Sequence, residues 1–223
     1  MLPLRARCFV LVTLLAACQA SKPAPPPERT PPPVPEWQKL VDAWEHPAPI
    51  PSFELTDQDG RRFRLGDLGD GYLLMSFAFS TCQVVKACPT TMRKMREVQD
   101  LWLEQREQGK TGGKTLRILT CTIDPENDTP KILREYGALN GADFAIWRLA
   151  TGPEGLMRQG LPSLLGVMAM RDGRGTLEHG VKAALLAPGL RPIREWDDNE
   201  FEAEAVLRAV LEHGADAGVA DGG

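Results

Sequence analysis

The feature that most constrains this chain is a buried strand that runs into two cysteines and then a helix. Tyr72 to Phe79 is a nearly continuous apolar run, the pattern of a strand covered on both faces. Cys82 and Cys88 follow, with Gln83 to Ala87 between them, and Pro89 opens a helical pattern. Proline suits the start of a helix, where its missing N–H is not needed. Met92, Met95, Val98 and Leu101-Trp102 recur at helical spacing, so these methionines are expected in a core rather than at a soft-metal site. The N–H groups at a helix start carry partial positive charge, which leads us to expect thiolate to be favoured over thiol at Cys88. Thiolates bind soft metals and attack disulfides. A structural disulfide, or two inert buried thiols, is the plainer alternative.

The remaining elements alternate. Phe53 to Leu55 and Arg62 to Leu65 flank Asp59-Gly60 and predict a hairpin. Leu116 to Ile123 predicts a second central strand. A helix is expected from Thr129-Pro130 to Leu139, stopped by Asn140-Gly141. Ile146 to Leu149 suggests a short strand and Pro153 to Leu161 a helix. Val167 to Met170 and Leu177 to Leu186 flank Asp172-Gly173-Arg174-Gly175 and predict an antiparallel pair. Arg191 to Trp196 suggests one more strand. An amphipathic helix from Asn199 to His213 is expected to turn Phe201, Ala205, Leu207, Val210 and Leu211 inward. Strands alternating with helices predict an α/β, thioredoxin-like sandwich: a central mixed sheet flanked by helices, preceded by an N-terminal β-hairpin.

The ends differ in kind from this domain, which we place at 51–212. Arg5 and Arg7, the apolar Phe9 to Leu15 and Leu15-Ala16-Ala17-Cys18 form a signal peptide over 1–18. Its apolar stretch is shorter than the roughly 20 residues a spanning helix needs. The Leu-Ala-Ala-Cys ending resembles a bacterial lipoprotein signal, which implies lipidation of Cys18 and a domain held by the membrane in the cell envelope, facing the periplasm. Residues 19–50 repeat Pro-Pro-Pro and read as an extended linker, with a short helix expected from Trp37 to Trp44. Residues 213–223 are small and polar and read as a tail. A net charge of -4, with no basic stripe, gives no reason to expect nucleic acid as a partner.

Five cysteines need an account. Cys8 is expected to leave with the signal, and the lipoprotein resemblance implies that Cys18 carries the lipid. Cys82, Cys88 and Cys121 remain. Cys121 alternates with apolar Leu119 and Ile123 along a strand, so it reads as a buried inert thiol, with a third ligand or resolving thiol as the alternative. Of the three histidines, His46 lies in the linker and His213 at the end of the last helix, and both read as solvated. His179 is expected at the head of a central strand. Beside two thiols it is the natural nitrogen donor. Two thiolates and an imidazole form a soft, low-coordinate set that suits copper(I), and copper(II) with a further ligand. Zinc would usually want a fourth protein ligand. Asp124 is a candidate fourth donor or a group that orients the ligands.

Several of these residues resemble one family in order and spacing. Phe77-x-Phe79-Ser80-x-Cys82, Cys88-Pro89, Thr122-Ile123-Asp124-Pro125-Glu126-Asn127-Asp128-Thr129-Pro130, Leu149-x-Thr151-Gly152, and His179 with Pro188 downstream resemble the SCO/SenC family of thioredoxin-like copper chaperones for cytochrome c oxidase assembly. The resemblance runs from about Phe53 to Trp196. It implies metal ligation by Cys82, Cys88 and His179, redox activity of the two thiols, and delivery of copper to the dinuclear centre of a terminal oxidase. Two departures stand out. The family has C-x-x-x-C-P where five residues separate the cysteines here, and Gly180 follows the histidine where the family usually has serine. Three readings follow: a copper-binding assembly factor, a metallochaperone rather than an enzyme, acting on the copper-receiving subunit of an oxidase; a thiol–disulfide oxidoreductase on the same fold; and a lipid-anchored binding module that has lost both activities. The longer loop is expected to let the sulfurs meet, with Val84 and Val85 covering the site and Lys86 in solvent; the altered spacing is what keeps the binding-module reading open.

Overall fold

The computed structural model describes residues 33–171 and 177–214. The expected signal peptide with Cys18, the Pro-rich sequence to residue 32, residues 172–176 and residues 215–223 lie outside the described residues, as do the side chains of Met170, Arg171, Glu178 and His179.

Helix α1 (Glu36–Asp42) precedes the sheet. Trp37 lies so close to Gly155 and Gly160 that a Cβ on either would meet its ring at under 3 Å. The expected helix near Trp37 is therefore present and packed, and the folded unit begins at Val34. Strands β1 (Glu54–Asp57) and β2 (Arg62–Arg64) form the expected hairpin. Its turn is closed by the Asp57 carboxylate, which accepts from the N–H groups of Asp59 and Arg61, both at 2.9 Å. Gly60 there adopts a φ of 76°, which a side chain would resist.

Strand β3 (Tyr72–Ala78) is buried throughout and carries the fold. Helix α2 (Cys88–Glu107) buries Met92, Met95, Val98 and Trp102, so the methionines are core. Strand β4 (Leu116–Thr122), helix α3 (Pro130–Leu139) and strand β5 (Trp147–Thr151) follow. The sheet order is β2-β1-β5-β4-β3 and then two later strands, with β3, β4 and β5 parallel. The crossovers from β3 to β4 and from β4 to β5 step the same way across the sheet. Right-handed connection therefore puts α2 and α3 on one face. Gln99 joins them: it donates to the Gly141 carbonyl at 3.0 Å and accepts from the Asp143 N–H at 2.7 Å.

After β5 the expected helix departs from α geometry. Pro162 has no N–H to offer the Arg158 carbonyl and crowds it. The preceding turn, Leu156–Gly160, is accordingly π-helical, with Leu161 N–H bonded to Leu156, before the short helix α4 (Leu161–Leu164).

The long strand expected from Leu177 to Leu186 is two strands. Strand β6 (Ala169–Arg171) pairs with β7 (Leu177–His179) in a separate two-stranded sheet. Strand β8 (Lys182–Ala187) joins the main sheet against β3, and β9 (Arg191–Asp197) completes it. The break falls at Gly180, whose N–H is taken by the Met168 carbonyl at 3.1 Å. Helix α5 (Ala203–Glu212) starts later than Asn199 and buries Val206 rather than Ala205, with Leu207 and Val210. Among the described residues no helix is long and apolar enough to cross a membrane.

Candidate functional site

Parallel pairing fixes where the chemistry lies. Ala78 is level with Thr122, and Cys121 with Ala150. The loops leaving β3, β4 and β5 therefore emerge at one edge of the sheet, the edge where open α/β sheets place ligands.

The loop after β4 is built by its own sequence. The Asp124 carbonyl accepts from the N–H groups of Asn127 and Asp128 at 3.1 and 2.9 Å. The Asp124 carboxylate takes the Asn127 side-chain amide at 2.8 Å. Thr129 caps α3 by accepting the Ile132 N–H, with Pro130 at its first turn. Asp128 then reaches across to the loop after β3. Its carboxylate accepts from the Ser80 N–H at 3.2 and 3.3 Å, from the Ser80 hydroxyl and from the Thr122 hydroxyl. Burial pushes the Asp128 carboxyl above its usual range, opposed by the Ser80 and Thr122 hydrogen bonds. This clip holds the chain two residues before Cys82.

Cys82 is partly exposed and Cys88 fully buried, and no disulfide joins Cys82, Cys88 or Cys121. The five-residue loop nevertheless returns: the Cys82 side chain lies close enough to Cys88 to raise its thiol. Two extra residues do not prevent this, because even a doubled loop costs only about 0.6 kcal/mol in closure entropy. Val84 and Val85, at 63% and 74% exposure, do not cover the thiols. They form the solvent-facing tip of the loop, and Lys86 is exposed beside them. The expectation that the helix start favours thiolate at Cys88 is also corrected. Burial pushes the Cys88 thiol up, the neighbouring Cys82 adds to this, and a backbone hydrogen bond at Phe79 offsets only part. Desolvation outweighs the helix end here. Tyr136 of α3 sits close enough that, after burial, ionised Cys88 and Cys82 would raise its phenol further.

Arg158, in the π-helical turn, faces this edge from the third loop. Its guanidinium pairs with Glu154, with Glu126 at 3.2 Å and with Asp124 at 3.9 Å.

The SCO1/SenC family model matches residues 42–213. This chain belongs to the SCO1/SenC family. The SCO1 protein homolog of Bacillus subtilis (strain 168) is 24% identical over 153 residues, covering 68% of this chain and 75% of that protein. Among solved structures, Arabidopsis thaliana ScoI with copper bound superposes with a TM-score of 0.61 at 19% identity, covering 74% of this chain and 98% of that one. BsSco, described as a member of the Sco family of cytochrome c oxidase assembly proteins with a disulfide switch, gives 0.59 at 22% identity, covering 73% and 91%. At these identities the structures speak for the thioredoxin-like fold.

Within this SCO1/SenC domain the sequence-derived residues separate as follows. Cys82 and Cys88 come together. Cys121 is buried in β4 opposite Phe77 and Ala150, and burial raises its thiol too. Asp124 is buried and engaged by Asn127 and Arg158. His179 ends β7 instead of heading a central strand. Because β8 runs antiparallel to β3, with Ser76 opposite Ala183, the chain ahead of Lys182 heads towards the end of β3 where the cysteine loop starts. His46 and His213 are exposed, but each has a partner: Glu195 at 3.1 Å and the Tyr72 hydroxyl at 2.9 Å. Among the described residues no three His, Cys, Asp or Glu side chains converge as a metal site; the His179 side chain lies outside that description. Sequence reasoning missed Asn199. It sits in a left-handed conformation, φ 60°, next to Asp198 at φ 50°. Three consecutive Asp/Asn residues, Asp197 to Asn199, before an amphipathic helix were the available signal.

Proposed function

We propose that this chain is a copper-carrying assembly factor, with copper as its cargo, held by Cys82, Cys88 and His179. One observation carries the reading: two neighbouring thiols, Cys88 at the start of α2 and Cys82 on the loop before it, at the loop edge of an SCO1/SenC fold. Two sulfurs and one imidazole would make a soft set suited to copper(I). Solved relatives that bind copper, or that are described as oxidase assembly proteins, support this cargo and support the copper-receiving subunit of a terminal oxidase as acceptor. Asp124, tied to Asn127 and Arg158, serves better as a fixed neighbour than as a mobile ligand. Titration of the reduced protein with copper(I) tests the reading. One ion per chain is expected, with tight binding lost in Cys82→Ser and in Cys88→Ser. Tight binding that survives in the double variant rules the site out.

The same proximity favours a second reading, thiol–disulfide exchange by the Cys82–Cys88 pair. Exchange needs only the thiols, so His179→Ala separates the two: it weakens copper binding and leaves exchange intact. Leu15-Ala16-Ala17-Cys18 supports a lipid anchor at Cys18 and a place in the bacterial cell envelope. Cys18→Ser is expected to release the protein from the membrane fraction. A mature chain without an acyl group defeats that part of the proposal and leaves the copper site untouched.

A further inference from the structure

The loop that carries the thiols is held at both ends, and the second hold comes from far along the chain. Asn199 is 5% exposed. Its side-chain amide donates to the Lys86 carbonyl at 3.2 Å and lies 3.4 Å from the Ala87 carbonyl. Its side-chain oxygen accepts the Thr91 hydroxyl at 3.0 Å. Ala87 is the residue before Cys88 and the N-cap of α2, where its methyl side chain makes no capping hydrogen bond. One amide therefore ties the last two residues of the inserted loop to the first turn of the helix that bears Cys88. The segment around Asn199 is itself pinned to α2. The Lys94 ammonium donates to the Phe201 carbonyl and lies 5.2 Å from the Phe201 ring centre, and Phe201 is 2% exposed. The left-handed backbone at Asp198 and Asn199 is what turns the amide towards the loop, and Asn accepts that conformation better than most residues.

We propose that Asn199 is a positioning residue for the Cys82–Cys88 pair: it fixes Cys88 against the freedom that the longer loop would otherwise give it. Ser80 and Asp128 fix the Cys82 side; Asn199 fixes the other. The inference rests on the two thiols acting as a pair. In the balanced reaction, both thiols give up their hydrogens to oxidised glutathione, one S–S bond forms between Cys82 and Cys88, the glutathione S–S bond breaks, and two reduced glutathiones leave. A clamp that holds Cys88 close to Cys82 raises the effective concentration of one thiol at the other, and so stabilises the disulfide.

The test is the equilibrium of the full chain with glutathione, for wild type, Asn199→Gly, Asn199→Asp and Thr91→Val, with thermal unfolding of each followed in parallel. Glycine keeps the left-handed backbone and removes the amide. Aspartate keeps the shape and turns an acceptor towards two carbonyls. Both are expected to weaken the disulfide about tenfold, a rise in potential of about 30 mV. Thr91→Val removes one hydroxyl at nearly constant shape; it is expected to shift the potential the same way by less, and it decides the matter if the Asn199 variants do not fold. A lowered melting temperature with an unchanged potential overturns the proposal and leaves Asn199 a structural residue. A wild-type chain that forms no Cys82–Cys88 disulfide overturns the paired-thiol reading itself, and this inference with it. Wild type alone shows which of the two has failed.

Discussion

Cys88 and Cys121 are both fully buried, and burial raises both thiols, yet they occupy different kinds of surroundings. Cys121 lies inside β4 between Phe77 of β3 and Ala150 of β5. Every neighbour there is fixed by the sheet, and burial alone accounts for its shift. Cys88 stands at the first turn of α2, where the chain leaves a loop, and it meets a second thiol and a backbone hydrogen bond at Phe79. What sets Cys88 apart from Cys121 is therefore neither burial nor a helix end. It is a partner sulfur delivered by a loop that is clipped at Ser80–Asp128 and held again at Asn199.

Oxidation breaks or sharpens this contrast most directly, because its outcome is nearly all or none. Mild oxidation followed by proteolysis and mass spectrometry is expected to find Cys82 bonded to Cys88. Cys121 should be alkylated only after unfolding. A Cys82–Cys121 bond, or three thiols left after oxidation, would mean that the loop does not close in solution, and the binding-module reading would then lead.

The parts of this arrangement that could be read in the sequence were the local ones. Tyr72 to Ala78 is nearly all apolar and buried on both faces, so composition marks it as a central strand, and Leu116 to Thr122 is legible from Leu116, Ile118, Leu119 and Cys121 despite Arg117 and two threonines. The turn from Asp124 to Pro130 is encoded by residues that bond to one another within six positions. What escaped depends on distance along the chain. Nothing near Asn199 says that its amide meets Lys86 and Ala87, so amphipathic spacing carried the last helix back over it. Leu177 to Leu186 keeps a strand-like pattern through Gly180, although the two halves find different partners in β6 and β3. Val84 and Val85 are expected to cover the thiols, but they face solvent at the tip of the loop. At Cys88 the helix end was legible and the depth of burial was not.

A smaller effect separates the thiols through stability. Cys121→Ser puts a hydroxyl into an apolar strand interior, where an unpaired polar group costs about 1–3 kcal/mol. Cys82→Ser changes a partly exposed loop residue and should stay within about 0.5 kcal/mol. Urea unfolding of the reduced protein measures both. Equal losses would mean that the loop is as tightly packed as the strand.

The smallest expected effect appears in alkali and isolates Cys121. Its thiol is held up by burial from an ordinary value of 9.0. The folded state keeps the proton that the unfolded chain gives up, so the unfolded state binds fewer protons once pH passes about 9. The contribution is fully present below that value and is lost as pH rises towards the higher folded one. The slope for one such thiol approaches about 1.4 kcal/mol per pH unit. Cys88 bends the same curve, so wild type alone cannot assign it. Cys121→Ala lowers stability by a roughly constant amount from the lost sulfur and removes this slope, so the gap between the two proteins should narrow above pH 9 by about 1 kcal/mol at pH 10. A gap that stays constant from pH 7 to 10 would show that Cys121 ionises as readily folded as unfolded. The strand interior would then be wetter than its zero exposure indicates, and the contrast with Cys88 would have to rest on the partner sulfur alone.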